Sequence, residues 1–170
     1  FVSTAIGITA ATIALVSQYV GAGDDRQADR VVAQSILLTL AVSSTLGTLG
    51  WLFRRDLLSL IGAEGAVFTE SLVYIEMIFL SLPFIFLFFA FRASLQGAGD
   101  TKTAMWLMVI SSGLNVVLDP FFILGWGVFP ALGTRGAGIA TFISRGFATA
   151  AGIYILLRGG YGVRLHLGDL

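Results

Sequence analysis

Long apolar stretches separated by short polar or glycine-rich breaks dominate the chain. Crossing a bilayer core of about 30 Å takes roughly 20 apolar residues of helix. The stretches that we predict to be transmembrane helices are residues 1–20, 31–53, 71–95, 103–124 and 136–157. Because the breaks are short, we expect consecutive helices to be antiparallel neighbours in an all-α, multi-pass membrane bundle.

Composition supports a membrane protein and removes several functional classes. Of 170 residues, 56% are hydrophobic and only 12% are charged, and mean hydropathy is +0.91. A soluble domain of this length needs more polar surface. The net charge is zero, and no run of Lys or Arg indicates nucleic acid. With no cysteine and one histidine, His166, the chain is not expected to carry disulfides, thiol catalysis or a Cys/His metal site.

The distribution of positive charge predicts how the helices are oriented in the cell membrane. The breaks at residues 21–30 and 97–102, with their flanks and an amphiphilic tail at 158–170, carry more Lys and Arg than the opposite breaks. This bias places the tail, or the start of an inter-lobe linker, in the cytoplasm. The predicted cytoplasmic cations are Arg26, Arg30, Arg92, Lys102, Arg158 and Arg164, and the outer ones are Arg54, Arg55 and Arg135.

The sequence Gly-Ala-Gly-Asp occurs twice, at residues 21–24 and 97–100, each time where an apolar segment ends. Glycine commonly closes a helix C-terminus. Asp24 and Asp100 then stand where an aspartate caps the following helix. Two hairpins with the same turn predict a repeated helical-pair architecture, which is common in transporters.

Small residues four apart predict faces where helices approach each other closely in lipid. Thr39, Ser43 and Gly47 form one such face, and Gly146 and Ala150 form another. We interpret both as packing surfaces.

A polar line in the fourth segment is the main candidate site, since ionisable groups at membrane depth are costly and usually functional. Asp119 follows Asn115 by one helical turn and shares its face, and Ser112 continues the line. Pro120 removes a backbone donor beside the carboxylate and favours a bend. Carboxylate and amide oxygens beside a bend predict a site for a proton or a hard cation such as Na⁺.

The fifth segment offers two possible partners for Asp119. Counted from the segment ends, Thr141 lies at the depth of Asp119, so its hydroxyl is a candidate member of the site. Arg145, one turn below, is a candidate ion-pair partner or modulator. If the two charges pair, Asp119 only ties two helices together, and the sequence leaves both possibilities open.

The third segment holds weaker cavity candidates. Glu76 lies one or two turns inside this helix on the predicted outer side, and Pro83 favours a kink there. A cluster of aromatic residues around Pro83 is more typical of packing against lipid or a neighbouring helix than of a drug cavity. Its members are Phe79, Phe84, Phe86, Phe88, Phe89 and Phe91.

Four motifs, in this order, resemble the multidrug and toxic compound extrusion family, especially its prokaryotic branch related to the DNA-damage-inducible efflux proteins. They are Leu-Val-Ser-Gln at 15–18 followed by Gly-Ala-Gly-Asp, Leu-Gln-Gly-Ala-Gly-Asp-Thr-Lys at 95–102, Asn-x-x-x-Asp-Pro at 115–120 and Gly-Ala-Gly-Ile-Ala-Thr at 136–141. The resemblance covers nearly all of the chain. Members of this family have twelve transmembrane helices in two lobes and exchange drugs for H⁺ or Na⁺.

The resemblance implies that these five helices are the second to sixth of the amino-terminal lobe. The first helix and the carboxy-terminal lobe would then be missing partners, as the start at Phe1 inside an apolar segment also suggests. Asn115 and Asp119 match the fifth-helix pair of the family's cation site, and Thr141 matches its sixth-helix member. The implied mechanism is alternating access without a cofactor, coupled to H⁺ or Na⁺. The implied substrates are small, often cationic organic compounds.

Three alternatives remain. A lipid-linked oligosaccharide flippase of the same superfamily would need a strongly basic cavity, and Arg145 is the one clearly buried cation expected here. An intramembrane aspartyl protease uses a Gly-x-Gly-Asp motif and two carboxylates that share a proton. However, Asp24 and Asp100 stand beside polar and charged residues at the water boundary, and so short a match arises often by chance. A purely structural bundle would not need the polar line. We therefore predict a transporter and not an enzyme.

Overall fold

The computed structural model of the chain describes residues 2–62, 64–126 and 130–158. These residues form helices and turns without a strand. The helices are α1 (Val2–Gly21), α2 (Asp25–Leu52), α3 (Arg54–Leu60), α4 (Gly65–Gly97), α5 (Thr101–Ile123) and α6 (Thr134–Arg158). All but the short α3 are long and apolar enough to cross a membrane, which makes 5 candidate spans. The predicted all-α membrane bundle is confirmed.

The helices extend beyond the apolar segments from which they were predicted. The helix α2 begins at Asp25 and α4 at Gly65, each six residues before the predicted start, because polar first turns can project into water. The short α3 was not predicted, since seven residues are too few to give a span. Of the predicted tail, Arg158 is the last residue of α6, and the rest, with His166, lies outside the described residues.

Two turns of the same design join α1 to α2 and α4 to α5. Gly23 (φ 74°) and Gly99 (φ 88°) adopt the left-handed conformation that glycine takes without strain. The amides of Asp24 and Asp100 donate to carbonyls five residues earlier, at 3.0 and 2.9 Å, as in a Schellman motif. The Oδ1 atom of each aspartate accepts the backbone N–H three residues later, at 3.1 and 3.0 Å. The predicted repeat and both capping roles are confirmed.

The helix α4 is the centre of the bundle and packs against α1, α2 and α6. Pro83 has no N–H for the carbonyl of Phe79 four residues earlier. Gly47 of α2 packs directly on that carbonyl, because a Cβ atom at this position would lie 2.9 Å from the Phe79 oxygen. Thr39 and Ser43 are buried along the same stripe of α2. The predicted small-residue face of α2 is confirmed.

The small-residue face predicted on α6 is wrong. A Cβ atom added at Gly146 would meet nothing within 4 Å, and Ala150 is exposed. The close approaches to α4 are instead at Gly138 and Gly152, where an added Cβ atom would lie 2.6 and 2.8 Å from side chains of α4. Spacing of four residues in a helix rich in Gly and Ala marks several faces, and only the neighbouring helix selects one.

The aromatic residues of α4 mainly fill the spaces between helices, as predicted. Phe79, Phe86, Phe88 and Phe91 are buried. The ring of Phe84 meets that of Phe142 in α6 edge to face, with centroids 5.0 Å apart. Such edge-to-face pairs add a small stabilisation beyond the buried area.

Candidate functional site

The candidate site lies where α5 packs antiparallel against α6. The Oγ of Ser111 donates to the carbonyl oxygen of Ser144 at 3.4 Å. Nearer the loop that joins the helices, a Cβ atom at Gly136 would lie 2.2 Å from the carbonyl oxygen of Phe122. The two backbones therefore touch at Gly136, as small residues allow in membrane helices. These two contacts determine the register of α5 against α6.

Asp119 and Asn115 are both half-buried, one turn apart on α5. Four buried side-chain atoms of the described residues lack a hydrogen-bond partner, and two of them, Oδ1 of Asp119 and Nδ2 of Asn115, lie on this turn of α5; the others are Oγ1 of Thr39 and Oδ2 of Asp100. Leaving a buried polar atom unbonded costs about 1–3 kcal/mol, and more for a charged group. The carboxylate oxygen of Asp119 can be satisfied by a proton, a cation or a hydrogen-bond donor, whereas the amide nitrogen of Asn115 is itself a donor and needs an acceptor. This pair is the core of the candidate site.

Thr141 lies at the depth of Asn115 in this register. Asn115 comes four residues after Ser111, and Thr141 comes three residues before Ser144, so the two are level across the interface. Asp119 is one turn farther toward the α5–α6 loop. The segment ends predicted that Thr141 lies level with Asp119, whereas in the structure it lies level with Asn115. Its role in ion binding stays a prediction.

Arg145 contacts a different part of α5. Its Nη1 donates to Oγ of Ser111 at 3.3 Å, and its guanidinium carbon lies 5.1 Å from the centroid of the Phe88 ring, within cation–π range. Ser111 precedes Asp119 by eight residues, which is about 12 Å along the helix. Among the described residues, Arg145 and Asp119 do not form an ion pair. The alternative in which Asp119 only ties α5 to α6 by pairing with Arg145 is therefore not seen in this structure.

Ser111 is a site residue that the predicted polar line did not include. The line was drawn through Ser112, which is exposed, whereas Ser111 is fully buried and bonds both Ser144 and Arg145. The sequence does carry a signal for it, because Ser111 precedes Asn115 by one helical turn. Both serines satisfy helical spacing, and only the position of α6 distinguishes them.

Glu76 takes part in a contact between α3 and α4 instead of the α5–α6 face. Its Oε1 lies 2.7 Å from Nε of Arg54, and the two side chains are 28% and 17% exposed. Arg54 also lies over the ring of Trp51, with 4.3 Å between the guanidinium carbon and the ring centroid. The pair ties the short α3 to the first half of α4.

Replacing Glu76 by Gln is expected to have a small effect on stability. A partly exposed ion pair contributes about 0.2–1 kcal/mol to the free energy of unfolding. Thermal unfolding of the full-length protein in detergent checks this, with Arg55→Gln at the exposed neighbouring position as the control. A fall in the unfolding midpoint of Glu76→Gln far larger than that of Arg55→Gln would contradict a minor, partly exposed ion pair.

An apolar groove of about 520 Å³ lies between α1 and α4. Phe86 and Phe89 form part of its wall, and Arg92 is the one charged residue in its lining. Neither Asp119 nor Arg145 lines it, so the groove is separate from the polar α5–α6 face. In the described ranges, no group of three or more His, Cys, Asp or Glu side chains could hold a metal ion. Within these ranges, the further oxygens that could join Asp119 around a cation are amide, hydroxyl and backbone oxygens.

The two aspartates considered for a protease have a structural role. Oδ1 of Asp24 and of Asp100 caps the helix that follows, and each aspartate lies in a turn outside the apolar spans. They belong to two separate turns, α1–α2 and α4–α5. Their positions are explained by helix capping, which needs no catalytic role.

Comparison with known proteins agrees with this architecture. The MatE family model matches residues 1–121. The chain is 34% identical to the probable multidrug resistance protein YoeA of Bacillus subtilis. The 157 aligned residues are 92% of this chain and 34% of that protein. The chain is 31% identical over 155 residues to an FAD transporter of Shewanella oneidensis, covering 91% of this chain and 34% of the relative. The chain therefore spans about a third of the length of these relatives.

Solved structures show the same fold. An inward-facing multidrug resistance MATE transporter of the MOP superfamily superimposes with a TM-score of 0.89 and 29% identity, over 98% of this chain and 37% of that one. A MOP superfamily transporter from Pyrococcus furiosus gives a TM-score of 0.89 at 29% identity, over 99% and 36% of the two chains. With the family model matching most of its length and the helices arranged as in these transporters, this chain belongs to the MatE family of multi-pass multidrug efflux transporters.

Proposed function

We propose that this chain contributes to a secondary active transporter that exports small organic compounds in exchange for H⁺ or Na⁺, with Asp119 as the coupling carboxylate. The observation that carries the proposal is the buried Oδ1 of Asp119, which has no hydrogen-bond partner among the described residues. An unpaired carboxylate at membrane depth is costly unless it binds a cation or a proton. Because the chain is about a third of the length of its relatives, the activity belongs to the full-length protein.

Either ion fits the residues around Asp119. A proton removes the charge of the carboxylate and needs no further ligand. Sodium needs several oxygen atoms, and we propose that the side-chain oxygens of Asn115 and Thr141, which are level with each other and one turn from Asp119, supply two of them. Both modes neutralise the same carboxylate, so the geometry supports coupling without selecting the ion.

Neutralisation of Asp119 drives transport only if it favours one conformation over another. A neutral Asp119 is stable when closed off from water, whereas an ionised one favours an arrangement in which water reaches it. Pro120 follows Asp119 directly, and α5 continues through it to Ile123. Because Pro120 has no backbone N–H, α5 has one hydrogen bond fewer at this point and bends more easily. A change of charge on Asp119 can therefore be coupled to a bend in the helix.

The names of relatives support export but differ in cargo. Relatives from Bacillus subtilis and Staphylococcus aureus are named as a probable multidrug resistance protein and a multidrug export protein, and one from Shewanella oneidensis is named as an FAD transporter. We propose small, often cationic organic compounds as substrates of the full-length protein. Its partners would then be the lipid bilayer and the helices outside this chain.

Transport by the full-length protein in proteoliposomes tests the proposal. Efflux of the organic cation ethidium is followed under an imposed H⁺ gradient, an imposed Na⁺ gradient, or neither. We expect efflux against a concentration difference under one gradient, which identifies the coupling ion. If neither gradient moves the dye and the same vesicles translocate a fluorescent lipid-linked sugar, the protein is a flippase and the exporter proposal is wrong.

A further inference from the structure

Arg145 is a cation near the middle of a membrane-spanning helix without an acidic partner among the described residues. The acid on the facing helix, Asp119, is about two turns away along α5. Glu76, inside α4, is paired with Arg54, and the other described acids lie in turns, in the short α3 or within the first turns of a helix. A charge at this depth normally pairs with another charge or marks the path of a substrate. Its counter-ion is therefore to be sought outside the described residues.

The contacts of Arg145 hold its guanidinium in place and leave most of its donors unused. The hydroxyl of Ser111 donates its own proton to the Ser144 carbonyl, so its oxygen is oriented to accept from Nη1 of Arg145. The Phe88 ring faces the guanidinium from α4 at 5.1 Å. A guanidinium has five N–H donors, and one of them is bonded to a side chain here. A positioned fork of free N–H groups is the geometry that binds a carboxylate or phosphate in a bidentate manner.

We propose that Arg145 binds the carboxylate or phosphate group of the transported compound, so that the substrates include organic anions and zwitterions. The inference rests on the proposed export function and adds a class of substrate to it. The spacing of about 12 Å along α5 separates the anion site at Arg145 from the coupling site at Asp119. An anionic group at Arg145 and a coupling ion at Asp119 can therefore be bound at the same time between α5 and α6, without Arg145 neutralising Asp119.

Two dyes that differ only in a carboxylate test this inference. Rhodamine 110 carries a free carboxylate, and rhodamine 123 is its methyl ester. Binding of each to the full-length protein in lipid nanodiscs is measured by fluorescence polarisation, without any ion gradient. Arg145→Gln is expected to weaken binding of rhodamine 110 by about tenfold or more, because it removes a charge-assisted bidentate contact. Binding of rhodamine 123 is expected to stay unchanged or to tighten.

Two further variants separate recognition from folding. Arg158→Gln changes an exposed arginine at the end of the same helix and is expected to bind both dyes like the wild type. Arg145→Lys keeps the charge without the planar fork and is expected to show an intermediate loss for rhodamine 110 only. If the Arg145→Gln protein is not monodisperse, binding of the two dyes is measured on Arg145→Lys instead. Competition by benzoate and by phenyl phosphate shows which oxyanion the site prefers.

Three outcomes would overturn the inference: equal losses of both dyes in the Arg145 variants, no loss of either, or no binding of rhodamine 110 to the wild type. Each would mean that Arg145 is neutralised by another part of the protein or serves packing alone. The measurement is independent of ion coupling. If rhodamine 110 binding depends on Arg145 but no gradient drives efflux, the proposed antiport is wrong and the anion site stands.

Discussion

Replacement of Asp119 by Asn is expected to reduce gradient-driven export by the full-length protein by about tenfold or more, within the usual range of coupling between sites. Asparagine has nearly the shape of aspartate but cannot ionise, so it imitates the protonated or ion-bound state permanently. In the Asp119→Asn protein, a neutral amide takes the place of the carboxylate whose Oδ1 is buried without a hydrogen-bond partner. The difference in charge that would shift the conformations is lost, while the fold remains.

The measurement is efflux of ethidium from proteoliposomes under H⁺ and Na⁺ gradients, with exchange of dye without a gradient as a separate assay. We expect exchange to persist in Asp119→Asn and coupling to vanish. Asp100→Asn is the matched control, since it makes the same chemical change at the cap of the same helix. Asparagine caps helices as well as aspartate does. If Asp119→Asn couples as well as the wild type, Asp119 is a structural residue.

Gly136→Ala is expected to lower the stability of the protein more than any other single methyl group added to α6. Its Cβ atom would lie 2.2 Å from the carbonyl oxygen and 2.4 Å from the carbonyl carbon of Phe122. These are backbone atoms, so no rotamer change relieves the clash and α5 has to move away from α6. Inserting one methyl group into a well-packed interface typically costs about 1–3 kcal/mol. The thermal unfolding midpoint of the full-length protein in detergent measures the loss.

Gly146→Ala is the control on the same helix and is expected to act in the opposite direction. A Cβ atom at Gly146 meets nothing within 4 Å. Alanine is favoured over glycine inside a helix by about 1 kcal/mol. We therefore expect the midpoint of Gly146→Ala to be equal to or above that of the wild type. Equal midpoints for Gly136→Ala and the wild type would contradict the close contact of α5 with α6.

Much of this fold could be predicted from the sequence because its causes are local. The spans follow from the length of the apolar stretches, since a bilayer needs about 20 residues of helix. Both Gly-Ala-Gly-Asp turns were predicted with their caps, because Gly23 and Gly99 supply the left-handed conformation and the next residue supplies the capping oxygen. Asn115 and Asp119 were placed on one face by their spacing alone.

The rotation of each helix and the partners across each interface were decided only by the tertiary structure. In a soluble protein an apolar stripe shows which face is buried, but lipid is as apolar as the protein interior, so this signal is weak here. This is why Ser112 was predicted where Ser111 is buried, and why the packing face of α6 was misplaced. The partner of Arg145 was equally undecided, because its side chain can reach either way along α5. The position of α6 against α4 and α5 directs it to Ser111 and Phe88 and leaves Asp119 without it.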